Sequence, residues 1–257
     1  MMSPTSKISR WWLLGVLAII CPAAAAWAQR PATRPAPLSH IQIDARKKQI
    51  RVQCIEVNAQ MPLEFFCVTD GGPEHETVLR TAARPSEIHF GLLALGLTPG
   101  EPAHFVEATS TWYAPTGPPL KITCEFERDG KAQSVPAERM MRSMKTKQPM
   151  PPATWVFDGS RILPDGQYAA DITGYVVSIV NFDLTMIDVP QLASNSNETL
   201  EWEFNPDVCP KKGAAVTMII EPVPGGSATR PAQSRPADQF NPGPGLHEEV
   251  SGAASRP

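Results

Sequence analysis

Strict alternation of apolar and polar residues is the feature that most constrains this chain. Leu120, Ile122, Cys124 and Phe126 fall on one parity and Lys121, Thr123, Glu125 and Glu127 on the other. Successive strand side chains point to opposite faces, so this period marks a strand with one face in a core. The pattern recurs. Ile50, Val52 and Cys54 share a face, and Leu200, Trp202 and Phe204 alternate with Glu201 and Glu203. Ile41–Ala45 and Gln49–Val57 flank Arg46-Lys47-Lys48 and read as a hairpin, with a bulge where Ile55 breaks the alternation. Strands are also expected over Leu63–Thr69, His104–Thr109, Trp155–Phe157, Tyr168–Ile172, Tyr175–Phe182, Leu184–Val189 and Ala214–Glu221. Within Leu63–Thr69, Phe65 and Cys67 share one parity and Glu64, Phe66 and Val68 the other.

One segment departs from this period. Pro85 suits a first helical position and Gly96 the residue beyond a helix end, with Ile88, Gly91, Leu92 and Leu95 on one face between them. Phe90 and Leu93 add apolar surface, so the helix is expected to be covered on more than one side. Glu76–Thr81 reads as a shorter amphipathic segment and Pro136–Met144 as a second, shorter helix. The fold class expected is α+β: a mostly antiparallel β-sheet core with one main helix packed on it and a short second helix.

The two ends read differently. Lys7 and Arg10 precede the apolar run Trp11–Ile20, and Ala26-Trp27-Ala28 is a small-x-small cleavage site. The expected organisation is a signal peptide over 1–28, a Pro/Arg-rich linker over 29–39, an α+β domain over 40–222 and a low-complexity tail over 223–257. The chain is thus expected to be exported, to the periplasm or beyond, with cleavage near Ala28. The apolar run is too short for a spanning helix, which needs roughly 20 residues, so the mature chain is expected to carry none. Thr-Arg-Pro-Ala occurs at Thr33–Ala36 and Thr229–Ala232, and Ser-Arg-Pro-Ala at Ser234–Ala237. Such stretches bury too little apolar surface to offset ordering, and read as tethers or solvated extensions.

Loss of two basic and no acidic residues takes the formal charge from −3 to −5. The flanks carry five arginines and three acidic residues, which leaves −7 for residues 40–222. A mildly acidic domain without a basic stripe is a poor partner for nucleic acid or anionic membrane. A small ligand or an envelope protein is the expected partner. Cys54, Cys67, Cys124 and Cys209 remain after cleavage. They form no Cys-x-x-Cys, which excludes zinc-knuckle, iron–sulfur and thioredoxin motifs. Cys54 and Cys124 point at the core, as free thiols or bridged to each other. Cys209, in a Pro-Lys-Lys-Gly loop, is expected to be exposed.

Polar chemistry concentrates between Gly71 and Gly96. His75-Glu76 begins a zinc-protease-like sequence, but Leu79 stands where the second histidine must lie. A metal or acid–base site is still available if the segment folds back on the sheet and brings Glu64, His75, Glu76 and His89 together. Those four are the candidate ligands for a divalent metal such as zinc. Alternatively, His89 is a packing residue among Leu92 and Leu93, and Glu74 and Glu76 are first-turn helix acids. No Gly-x-Ser-x-Gly elbow occurs, Ser160 follows an Asp-Gly turn, and Cys67 has inward parity. Asp171 and Asn181 either line a pocket or end strands. Asn197-Glu198-Thr199 matches a glycosylation sequon. The residues favour ligand or metal binding without clear catalytic apparatus; a metal-dependent hydrolase on an envelope substrate and a structural interaction module are the alternatives.

Several runs are familiar together. Pro62-Leu63-Glu64-Phe65-Phe66, Glu74–Leu79, Pro85–His89 with Leu92–Gly96, Trp155–Ser160, Tyr168–Asp171, Gly174 and Val216-Thr217 resemble the YdjY-domain family of exported bacterial proteins. The resemblance covers most of residues 40–222. It implies an exported domain without an assigned activity. Some members carry ferredoxin-type cysteine motifs; this chain does not, so the resemblance brings no electron-transfer role.

Overall fold

The structure, a computed structural model, describes residues 38–196, 198–225 and 234–236. The signal sequence, most of the linker, Asn197 of the sequon and most of the tail lie outside the described residues.

The strands are β1 (Ile41–Asp44), β2 (Gln49–Glu56), β3 (Phe65–Thr69), β4 (Thr77–Thr81), β5 (His104–Val106), β6 (Thr111–Tyr113), β7 (Pro119–Arg128), β8 (Lys131–Pro136), β9 (Met141–Ser143), β10 (Trp155–Phe157), β11 (Tyr175–Ser178), β12 (Ile187–Asp188), β13 (Trp202–Phe204), β14 (Ala215–Pro222) and β15 (Ser234–Pro236). The helices are α1 (Pro85–Ala94) and α2 (Ala169–Thr173).

The main sheet runs β2-β14-β7-β10-β12-β11-β3-β4, and β4 then pairs back to β2. Cys54 lies opposite Thr81 and Glu56 opposite Leu79 at that seam. The eight strands therefore close into a barrel, with β1 and β8 as outer additions. This corrects the expected α+β class. The domain is mostly β, with two helices among the described residues. Alternation places one face of each strand in a core, and an open sheet under a helix satisfies that as well as a closed barrel does. The strand that closes it, β4, lies within Glu76–Thr81, which reads in the sequence as a short amphipathic segment and not as a strand.

Cross-strand register builds the interior in rungs. Ile50 faces Ile220, which faces Ile122; Val52, Met218 and Cys124 form the next; Cys54, Val216 and Phe126 the third. All nine are buried. The outward neighbours Arg51 and Glu125 form an ion pair at 2.7 Å instead.

Helix α1 lies against β1, β2 and α2. A Cβ on Gly91 would meet Ile50 Cδ1 at 2.7 Å, so glycine is what lets the helix approach this closely. Pro85 is its first residue and Gly96, in the left-handed region at φ +86°, follows its end, both as the sequence implies. Ile88 and Leu92 are buried, but Phe90 and Leu93 are 57% and 44% exposed. The outer side of the helix is thus uncovered, against expectation.

Two further readings change. Pro136–Met144 holds a single 3-10 turn, Ala137–Met140, followed by β9. The short second helix is α2, where a strand was expected. It ends at Gly174, φ +77°, which accepts a left-handed cap that most residues avoid. Phe65 and Cys67 also separate. A register shift in the β11 pairing sends Phe65 to a second apolar cluster, with Val68, Trp112, Val180, Phe182 and Leu192, while Cys67 joins the barrel core.

Candidate functional site

The parallel strands β3 and β4 are joined by Asp70–Glu76, which must travel back along the barrel wall. Gly71, at φ +81°, starts the return. A 3-10 turn, Glu74–Glu76, completes it. The carboxylate of Glu74 accepts from the Gly71 N–H at 3.0 Å. His75 stands on this turn with a side chain 67% exposed, its Nε2 3.5 Å from Glu76 Oε1. Glu64 enters β3, and its N–H donates to the Glu76 carbonyl at 3.1 Å. The main chain thus joins Glu64, His75 and Glu76 in one neighbourhood.

His89 has different company. On α1 it packs edge-on against Phe157 and Tyr168, with ring centroids 4.9 Å and 5.4 Å away. Its Nδ1 is 2.8 Å from the Tyr168 hydroxyl, and that hydroxyl donates to the Gly159 carbonyl at 2.9 Å. A carbonyl only accepts, so the single phenolic proton points at Gly159. His89 must then donate from Nδ1, and the lone pair of the neutral ring sits on Nε2. Burial pushes the His89 pKa below the ordinary value, against a smaller upward pull from the Gly159 carbonyl. Gly159 is required at this junction: at φ +90° its Cβ would meet Pro99 Cβ at 2.4 Å.

Near this link lie two buried carboxyls, Asp188 in β12 and Asp158 just after the neighbouring β10. Asp188 Oδ1 accepts from Asn181 Nδ2 at 2.9 Å and from the Val189 N–H at 2.7 Å. Asp158 Oδ1 accepts from the Ser160 N–H at 3.4 Å. The Oδ2 atom of each is buried without a hydrogen-bond partner. Burial pushes both carboxyls well above the usual range, and Asp158 raises Asp188 further. Burial thus disfavours the charged form of each. Burial, with the charges of Asp158 and Asp171, likewise raises the Tyr168 hydroxyl.

The remaining candidates are engaged structurally. Asp171 Oδ1 accepts the Ser86 N–H in the first turn of α1 at 2.8 Å, which ties α2 to α1. Asn181 bonds Asp188, the Val189 carbonyl and the Ala193 N–H. Ser160 Oγ donates to the Leu184 carbonyl at 2.6 Å. All four cysteines are free and buried, Cys209 included, which corrects its expected exposure. The Cys209 thiol donates to the Met140 carbonyl at 3.3 Å. Burial raises the Cys67, Cys124 and Cys209 thiols, which opposes the thiolate form a nucleophile needs.

Among the described residues, no group of three or more His, Cys, Asp or Glu is arranged to hold a metal ion. Glu64, His75 and Glu76 are neighbours through the return segment, and the contacts of His89 are with Tyr168, Phe157 and Gly159. Sequence reasoning passed over Asp158 and Asp188. The signal was there: each ends or interrupts a wholly apolar run, Trp155–Phe157 and Ile187 to Val189, where a carboxylate has no solvent to face.

A closed barrel with helix α1 packed against β1 and β2 defines a β-barrel domain. Residues 41–221 match the model of the YdjY domain, and the chain belongs to that family. Comparisons with curated proteins and with solved structures find no match. Among the described residues no helix is long and apolar enough to cross a membrane.

Proposed function

We propose that this chain is an exported, non-catalytic binding domain that docks a protein partner on the α1–α2 corner. The carrying observation is apolar exposure concentrated around one set of contacts. Phe90, Leu93, Ile162 and Ile172 are 57%, 44%, 64% and 44% exposed. Phe90 follows His89, which Tyr168 holds; Ile162 pairs with Tyr168 in an isolated bridge; Ile172 follows Asp171, which bonds α1. A helix normally turns such residues inward, and clustered exposure of this kind marks interaction surfaces. The acidic balance of residues 40–222 disfavours an anionic lipid or nucleic acid at this surface and favours a protein. Export rests on the basic, apolar and small-x-small pattern of residues 1–28, and predicts a mature chain whose intact mass begins at Gln29.

Site-specific photo-crosslinking tests the docking claim. A photoreactive phenylalanine analogue at Phe90 is expected to capture a discrete protein in the cell envelope, while the same group at exposed Lys131 does not. Equal capture from both positions would remove the reading.

A further inference from the structure

The β5–β6 hairpin stands apart from the barrel as part of a separate three-stranded sheet ordered β15-β6-β5. Its inner anchor is Trp112, buried in the second apolar cluster with Phe65, Val68 and Phe182. Phe105 packs beside Trp112 with ring centroids 5.5 Å apart, and His104 stacks on Tyr113 at the same separation. One edge of β6 is covered by β5. The other carries Ser234–Pro236, with Ser234 opposite Tyr113, Arg235 opposite Trp112 and Pro236 opposite Thr111.

This occupant is not an arbitrary piece of tail. Ser/Thr-Arg-Pro stands at Ser234–Pro236 and again at Thr33–Pro35, Thr229–Pro231 and Ser255–Pro257. An open strand edge is a template for an incoming extended segment, which gains affinity from main-chain bonds and selectivity from alternate side chains. Proline suits such a segment: it fixes an extended φ and is tolerated on an edge strand. Arginine and proline are the two residues that every copy of the motif shares, and the backbone register sets Arg235 across from Trp112.

We propose that the edge of β6 opposite β5 is a recognition site for an extended Ser/Thr-Arg-Pro peptide, occupied in this chain by its own residues Ser234–Pro236. The tail segment closes an edge that would otherwise be open to pairing. The inference is independent of the α1–α2 docking surface.

Hydrogen exchange at Thr111–Tyr113 in the full chain is the test. The variant used replaces Arg34, Arg230, Arg235 and Arg256 by Ala, so that no copy of the motif substitutes for another. Exchange at Thr111–Tyr113 is expected to rise at least about tenfold, with β7 unchanged. A peptide of residues 228–239 is expected to restore protection to the variant, and the same peptide with both arginines replaced by Ala is not. Unchanged exchange in the variant would overturn the proposal, as would equal protection by the arginine-free peptide. Protection in the wild-type chain that rises with protein concentration would replace the occupant by a second copy and overturn the same-chain assignment.

Discussion

His75 and His89 are separated by one strand and the start of one helix, yet they occupy opposite physical situations. His75 stands in solvent on the return between two parallel strands, with Glu76 Oε1 3.5 Å away. His89 is wedged between two aromatic rings with its tautomer fixed by Tyr168 and Gly159. The polar residue that looked like a ligand is open because its segment must run outside the barrel. The polar residue on the apolar helix is bonded because burial requires a partner. Glu56 adds the intermediate case. It is fully buried, with Oε1 accepting the Asn58 N–H at 3.2 Å and Oε2 unpartnered.

The largest expected effect comes from that incomplete partnering. Burial lifts the Glu56 pKa from 4.5 to about 8, against the smaller opposing Asn58 hydrogen bond. The folded state then keeps its proton to higher pH than the unfolded state does. The Glu56 contribution is complete below pH 4.5, is lost as pH rises toward 8, and is flat above that. Over that window the loss is on the order of 5 kcal/mol at most. Glu56→Gln is expected to remove this slope in urea unfolding measured from pH 5 to pH 9. A slope unchanged in the variant would place the titration elsewhere.

Next in size is Tyr168, the partner that distinguishes the two histidines. Tyr168→Ala is expected to cost about 3 kcal/mol by losing ring packing and both hydrogen bonds. Tyr168→Phe keeps the ring and is expected to cost about 1 kcal/mol. Equal losses in the two variants, by chemical denaturation, would mean that the hydroxyl carries the whole effect. His89 itself separates packing from titration. Its pKa is lowered by burial, so its contribution is present above the ordinary histidine value near pH 6.5 and is lost as pH falls below it. His89→Ala is expected to be destabilised by about 2 kcal/mol at pH 7 and to show a shallower loss of stability between pH 6.5 and pH 5. The smallest effect belongs to His75→Ala, expected to shift stability by less than about 0.5 kcal/mol. A larger shift would show that the return segment is held by its exposed histidine.

Much of the architecture was legible because strand parity is a local property. The β1–β2 hairpin, the inward thiols Cys54 and Cys124, and both ends of α1 follow from residues within a few positions. Closure was not legible. It depends on β4 meeting β2 across more than twenty residues, and no periodicity within Thr77–Thr81 encodes which edge it will find. The α2 turn was read as a strand because its five residues are too few to show a helical period. The candidate polar set was found only in part. Histidines and glutamates in a polar run attract attention, whereas Asp158, Asp188 and Tyr168 become a cluster only once β10, β12 and α2 are adjacent. The outward face of α1 was misread because apolar residues were assumed to be covered.

That uncovered face carries the central claim, and capture efficiency in the cell envelope reads it most directly. With the photoreactive group at Phe90, Leu93→Glu is expected to abolish the discrete adduct while leaving thermal unfolding within a few degrees of wild type. A control charge at Ala132, on β8, is expected to leave the adduct intact. An adduct that survives Leu93→Glu with unchanged yield would contradict the account.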